Sequence, residues 1–200
     1  MATEITTLES PIDVMYLVHK ALRAEAVRVE RVVEQLEEGG SLQPFKRAFY
    51  RWVISLGHHA EVEDTYMTSL LPDSPVARDN EAAHRRLEDM LEEVQTCVHE
   101  EIGRTVLIAR TQRHLFGRVV MARIAQDDHL EAEEAFVLPL IRQRIGEVQQ
   151  VEIARRLLID QEAEEQRWIL DWVAQDLSPR ERQWLAGLAT RFKEVFPRAG

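Results

Sequence analysis

The chain carries two copies of the motif His-x-x-x-Glu, formed by His59 with Glu63 and by His129 with Glu133. Four residues of an α-helix turn through about 400°, so each histidine lies almost directly below its glutamate on one helix face. An imidazole and a carboxylate stacked in this way are suited to bind a metal ion inside a helical bundle. The pattern therefore predicts a metal site, provided that both faces point inward.

Composition favours an all-α protein, since the 200 residues include only 8 glycines and 7 prolines. The formal net charge of -10 argues against a nucleic-acid partner and against an anionic membrane surface. The first ten residues lack signal-peptide features and no apolar run reaches membrane-spanning length, so we expect a cytoplasmic protein without a membrane partner. A single cysteine, Cys97, excludes an intrachain disulfide and disfavours a thiolate metal site.

Apolar residues at alternating steps of three and four predict four long amphipathic helices. They cover residues 10–39, 42–71, 74–103 and 104–146, the last bent or interrupted at Pro139. Short connections favour antiparallel neighbours, hence an up-down-up-down four-helix bundle over residues 1–146. Two further helices, over residues 148–176 and from a capping box at Ser178 onward, form a C-terminal extension over residues 147–200 that is predicted to pack on the bundle.

Each of the four predicted inward faces contains one histidine. These histidines are His19, His59, His84 and His129. The inward face of the second helix continues to Tyr66 and Leu70, and that of the fourth begins at Ile108 and continues to Phe136. Three other histidines fall off the faces: His58, His99 and His114.

The predicted topology also places the polar residues at one height. His19 and His84 lie about eight residues from the starts of their helices, and the two His-x-x-x-Glu motifs lie near the ends of theirs. In an up-down-up-down bundle these positions share one end. A rise of about 1.5 Å per residue then brings all six side chains into one layer.

A metal site has a simpler alternative, in which the inward histidines are hydrogen-bonded core residues or form a neutralising network with the glutamates. Buried Glu63 and Glu133 are costly unless they are paired or metal-bound, and no lysine or arginine occupies the inward faces. Imidazole and carboxylate ligands without sulfur suit iron, manganese or zinc. Six ligands are too many for one open zinc site but suit two ions, with bridging carboxylates and one position on each ion left for a small ligand.

Three further polar residues lie on the inward faces one turn from the predicted ligands. Tyr66 is either a hydrogen-bond donor or redox-active ligand at the metal site, or a core residue. Gln126 and Asn80 are candidates to hydrogen-bond a ligand carboxylate. We expect His58 to be a flanking residue and Cys97 to be a small core or boundary residue.

The ordered set of His, His-x-x-x-Glu, His and His-x-x-x-Glu on successive helices resembles the hemerythrin-like family of HHE cation-binding domains, over roughly residues 11–143. The pattern consists of His19, of His59 with Glu63, of His84, and of His129 with Glu133. The acidic pairs Glu63-Asp64 and Glu133-Glu134, each followed by a proline, add to the resemblance. It implies a non-heme, oxo-bridged di-iron centre that meets O2, nitric oxide or peroxide. Two iron ions are thus the expected cofactor, ahead of manganese or zinc.

The chain departs from the oxygen-carrying hemerythrins in two places. Those proteins have a fifth ligand histidine on the third helix, where this chain has Glu88, and His-x-x-x-x-Asp on the fourth helix. Reversible O2 transport is therefore not expected, and Glu88 is either a third carboxylate ligand or a solvated neighbour.

The function expected from this resemblance is binding or sensing of O2, nitric oxide or peroxide. The alternatives are a di-iron enzyme that acts on peroxide or nitric oxide, a donor or store of iron for metal-centre repair, and a metal-free interaction bundle. The coordinating residues are the same in the first three cases, so the sequence does not separate them.

Overall fold

The computed structural model describes residues 8–102 and 107–196, except for the side chains of residues 100–102. All regular structure in these ranges is helical, which confirms the prediction of an all-α protein. The α-helices are α1 (Val14–Glu34), α2 (Gln43–Tyr66), α3 (Pro75–Thr96), α4 (Ala109–Ala132), α5 (Leu138–Arg144), α6 (Glu147–Leu158), α7 (Trp168–Gln175) and α8 (Pro179–Val195).

The first four helices form the predicted four-helix bundle. Helix α1 packs between α2 and α4, and α3 packs on α4 and α2. The predicted inward face of α1 is buried throughout, and that of α3 is buried from Ala77 to Val98. The predicted helix boundaries at Gly103 and Arg104 lie outside the described residues. Within the described ranges, no helix is both long and apolar enough to cross a membrane.

Helix α1 ends at Glu34, five residues before the predicted stop at Gly39. The cause lies on α4, where the side-chain amide of Gln112 donates to the carbonyl oxygens of Val33, Glu34 and Leu36 at 3.3, 3.3 and 2.6 Å. The carbonyl oxygen of Val33 also accepts the backbone N–H of Leu36 at 3.2 Å. Carbonyls in the last turn of a helix lack the usual intrahelical partners, so a side-chain donor there stabilises the helix end. Gln112 is therefore a capping residue for α1.

The inward pattern shifts by one residue after each His-x-x-x-Glu motif. Phe136 was predicted to face inward but is 61% exposed, and Val137 is buried instead. A π-helical turn at Glu133–Val137 rotates the chain here, and it comes directly before α5, whose second residue is Pro139. Proline lacks the N–H that an α-helix needs, and the fourth helix is interrupted as expected, but the interruption lies just before Pro139 rather than at it.

The end of α2 shows the same shift. Tyr66 and Leu70 are 36% and 39% exposed, whereas Met67 and Leu71 are buried. Helix α2 ends at Tyr66, and a 3-10 turn follows at Thr68–Leu70. A 3-10 turn has three residues per turn, so the side chains after Tyr66 no longer follow the α-helical period of 3.6 residues. Ile108 was also wrongly placed inward, because it precedes α4 with extended backbone.

The chain after the bundle forms three helices rather than two. The predicted helix over residues 148–176 is interrupted between α6 and α7. One carboxylate oxygen of Asp160 accepts the backbone N–H groups of Glu162 and Ala163, and the other accepts the indole N–H of Trp168. An aspartate that binds nearby backbone N–H groups competes with helix formation, which explains the break. At α8 the predicted capping box is confirmed, with Ser178 and Glu181 bonding each other's backbone N–H.

Helix α1 has a second buried face, which the sequence analysis missed. Its members are Val14, Leu17, Val18, Ala21 and Glu25. Helices α6 and α7 pack on α1, and three polar contacts join its outer side to the C-terminal helices. These are Glu25 with Trp172, Arg28 with Asp176, and Lys20 with Glu181. The helix that carries His19 is thus enclosed on both sides, while the predicted division of the chain at residue 146 stays a prediction.

Candidate metal centre

The structure brings the six predicted ligand side chains together inside the bundle. Helix α1 supplies His19, α2 supplies His59 and Glu63, α3 supplies His84, and α4 with its π-helical turn supplies His129 and Glu133. All six residues are buried, at 0–7% exposure. They lie in one layer because the period of each helix sets the face and the topology sets the height.

Glu133 lies at the middle of this cluster. Its Oε2 atom is 3.3 Å from the Nε2 of His19 and 3.5 Å from that of His59. Its Oε1 atom is 3.3 Å from the Nε2 of His84 and 2.9 Å from that of His129. Each oxygen of one carboxylate therefore faces a separate pair of imidazoles.

Glu63 lies on the other side of the same layer. Its Oε1 atom is 3.3 Å from the Nε2 of His59, and its Oε2 atom is 3.4 Å from the Nε2 of His84. Two ligand groups result, in each of which all ligand atoms lie within 4.8 Å of one another. The first group is His19, His59, Glu63 and Glu133, and the second is His84, His129 and Glu133.

These nitrogen–oxygen distances suit ligands of a shared metal ion. With metal–ligand bonds of about 2.1 Å, two ligands at right angles lie about 3 Å apart. The hydrogen-bonding alternative fits less well, because several facing atoms have no hydrogen-bond partner among the described residues. They are the Nε2 atoms of His19, His59 and His129, Oε1 of Glu63 and Oε2 of Glu133. Buried polar atoms without partners are costly, and bound cations would satisfy all five.

Protonation in the metal-free cluster follows from burial and neighbouring charge. Burial lowers the pKa of His19 and His84, but the adjacent carboxylates outweigh it and raise these values to about 9 and about 11. Burial raises the pKa of Glu63, and the charge of Glu133 raises it further. For Glu133, burial is outweighed by the four imidazoles, which hold its pKa well below 4.5. Protons and metal ions thus compete for the same buried nitrogens.

Two outer carboxylates orient two of the histidines. The Nδ1 atom of His84 is 2.8 Å from Oδ1 of Asp64, and the Nδ1 atom of His19 is 2.8 Å from Oε1 of Glu134. A carboxylate on Nδ1 fixes the ring so that Nε2 faces the metal. Both acidic pairs are visible in the sequence, but this role of Asp64 and Glu134 was not predicted. Their signal is the position, since each outer acid directly follows a motif glutamate.

The other candidate residues fall into two groups. Asn80 fulfils the prediction, because its side-chain amide donates to Oε2 of Glu63 at 3.1 Å. Gln126 instead accepts the indole N–H of Trp52 at 2.6 Å. The guanidinium of Arg156 lies over the ring of Tyr66, with its central carbon 4.0 Å from the ring centre. Tyr66 is therefore not part of the cluster.

The remaining side chains lie away from the centre. Glu88 is exposed, which favours the solvated interpretation over a third carboxylate ligand. His58 bonds the backbone carbonyl of Arg156, and His99 and His114 are exposed. Cys97 is buried, as expected of a small core residue.

An all-α bundle with a buried His/Glu cluster defines the class of helical metal-binding proteins. The family model of the hemerythrin HHE cation-binding domain matches residues 10–141, which is most of the chain. The chain therefore belongs to the hemerythrin HHE family, whose domains bind metal cations. No curated protein and no solved structure matches it.

Proposed function

We propose that this chain is a non-heme di-iron protein that binds or senses a small oxidant or gas, namely O2, nitric oxide or peroxide. The observation that supports this most directly is the contact of Glu133 with two pairs of histidines. A carboxylate whose oxygens face separate imidazole pairs is suited to bridge two adjacent ions. Two iron ions, when bound, would supply electrons to a small oxidant.

The donor set favours iron and leaves room for a further ligand. Imidazole and carboxylate donors suit iron. The thiol of Cys97 lies 13 residues beyond His84, about 20 Å along the helix axis, and is therefore too far away to add a sulfur ligand. The six side chains offer four nitrogens and four oxygens. Two octahedral ions have about twelve positions, so the protein ligands leave positions open on the pair.

Burial restricts what can occupy those positions. His19, Glu63 and Glu133 are 0% exposed, so bulky substrates have no direct approach to the cluster. A diatomic gas or peroxide is small enough to enter between packed helices. This supports a small molecule, rather than a macromolecule, as the partner of the centre.

A second candidate is a di-iron enzyme that acts on peroxide or nitric oxide. The exposure of Glu88 leaves α3 with His84 as its proposed ligand, so a position next to it is open for a reacting ligand as well as for a bound one. Open positions on both ions suit turnover of a ligand as well as its binding.

The test is an anaerobic titration of the diferrous protein with nitric oxide and, separately, with hydrogen peroxide. A spectral change that saturates at one or two equivalents per iron pair is expected for a binding or sensing protein. Release of O2 from many equivalents of peroxide would favour the enzyme. No response to either ligand would contradict both functions. The His99→Ala variant is the control and should behave as the unmodified chain does.

A further inference from the structure

We infer that the two halves of the centre hold their ions unequally. The ion bound by His84 and His129, in what we call the His84 half, exchanges with the solution. The ion bound by His19 and His59, in the His19 half, is retained. This inference rests on the proposed two-metal centre. Three differences between the halves support it: the number of ligands, their exposure, and the anchoring of the outer carboxylates.

The first difference is the number of ligand side chains. In the His19 half, four side chains place ligand atoms within 4.8 Å of one another; in the His84 half, three do. Glu63 offers one oxygen to each half, Oε1 at 3.3 Å from His59 and Oε2 at 3.4 Å from His84. Its Oε2 atom is already engaged by a hydrogen bond from Asn80, whereas Oε1 has no hydrogen-bond partner among the described residues. An ion held by fewer protein ligands depends more on exchangeable ones.

The second difference is exposure to solvent. The side chains of His19 and His59 are 0% and 1% exposed, and those of His84 and His129 are 5% and 3% exposed. The outer carboxylates follow the same order. Asp64, which holds His84, is 39% exposed, and Glu134, which holds His19, is 25% exposed. Water therefore reaches the His84 half first, and an ion that dissociates from this half is the first to be captured by a chelator in solution.

The third difference is how firmly each outer carboxylate is held. Oε1 of Glu134 also accepts a hydrogen bond from Arg23 at 2.8 Å, and Arg23 lies 4.0 Å from Asp127. Asp127 in turn is bonded by Arg123, which continues the network to Glu30 on α1. The His19 half is thus supported by a charged network that joins α1 to α4.

Asp64 has no equivalent support. Among the described residues, His84 is the only hydrogen-bond partner of its carboxylate. Asp64 also lies two residues before the end of α2, whereas Glu134 lies in a π-helical turn that continues directly into α5. Loss of an outer partner lowers metal affinity by about 10–100-fold, so a weakly held partner predicts a weakly held ion.

The test is the release of iron from the fully loaded, reduced chain to an excess of a ferrous chelator. We expect two kinetic phases of one equivalent each. Asp64→Ala should accelerate the fast phase by about 10–100-fold and leave the slow phase unchanged, because it acts on His84. Asp64→Asn, which keeps a hydrogen-bond acceptor, should have a smaller effect. Glu134→Ala should accelerate the slow phase.

The control is Glu131→Ala, which removes an exposed acid at the end of α4, three residues before Glu134, and should change neither phase. Release of both ions in one phase would overturn the inference, as would acceleration of the slow phase by Asp64→Ala. Either result leaves the two-metal centre standing. A chain that takes up fewer than two ions would instead contradict the proposed function, so the two failures are distinguishable.

Discussion

Glu133 is the residue on which the centre depends most, because its carboxylate contacts the Nε2 atoms of all four inward histidines. Glu63 contacts two of them. The two copies of the motif are therefore alike in sequence but not in role. Glu133 contacts two histidines in each half, and Glu63 contacts one histidine in each.

Glu25 is a second buried carboxylate, and it has a structural role. It accepts hydrogen bonds from Arg28, Arg51 and Trp172, which connect α1, α2 and α7. Burial raises its pKa, but the two guanidinium groups and the indole N–H outweigh burial and lower the pKa below 4.5. A carboxylate with a lowered pKa stabilises the folded chain above about pH 4.5, and this stabilisation is lost as the pH falls towards the lowered pKa.

We expect Glu25→Gln to lower the free energy of unfolding by about 1–3 kcal/mol at pH 7, because hydrogen bonds to a charged group are lost. The difference from the unmodified chain should shrink as the pH falls below about 4.5. Urea unfolding of both proteins between pH 7 and pH 3 measures it. Glu34→Gln changes an exposed acid on the same helix and should have little effect. A difference independent of pH would refute the ion-pair explanation.

The sequence predicted the buried His/Glu cluster because its side chains follow helical periodicity. Each inward histidine replaces an apolar residue on its face, so the 3.6-residue period locates it. Glu25 and the outer acids Asp64 and Glu134 were not predicted, since their partners come from other helices. A single face analysed by period does not show which side chain meets it across an interface.

At the scale of helices, the ends of α2 and α4 show where helical periodicity no longer predicts which residues face inward. The pattern holds along the regular parts and breaks where the backbone becomes a 3-10 turn after α2 or a π-helical turn after α4. The first irregularity follows Glu63, and the second begins at Glu133. Such turns depend on local hydrogen bonds and on Pro139, which hydrophobic spacing does not encode.

Helix α8 offers a direct test of a cap that was predicted from sequence. Ser178→Ala removes the acceptor for the backbone N–H of Glu181, so we expect a loss of about 0.5–2 kcal/mol in unfolding free energy. Ser74→Ala is a matched control, because Ser74 precedes Pro75 at the start of α3 but makes no capping hydrogen bond through its side chain. Thermal unfolding of the two variants compares them. Equal destabilisation would show that the Ser178 cap contributes nothing specific.

At the scale of the whole molecule, α1 belongs to two packing units at once. One face carries His19 into the centre, and the other packs against α6 and α7. The packing of the C-terminal helices on the bundle was predicted from the sequence, but their contact with α1 was not. Their attachment depends on pairs such as Lys20 with Glu181, whose partners are 161 residues apart.

The measurement that tests the central claim most directly is the iron content of the chain after aerobic purification, compared with that of Glu133→Ala and Glu131→Ala. We expect about two irons per chain in the unmodified protein and in Glu131→Ala, which keeps every proposed ligand. Glu133→Ala should retain fewer than one, because both halves lose a ligand. Retention of two irons by Glu133→Ala, or no bound metal in the unmodified chain, would contradict a two-metal centre built on these residues.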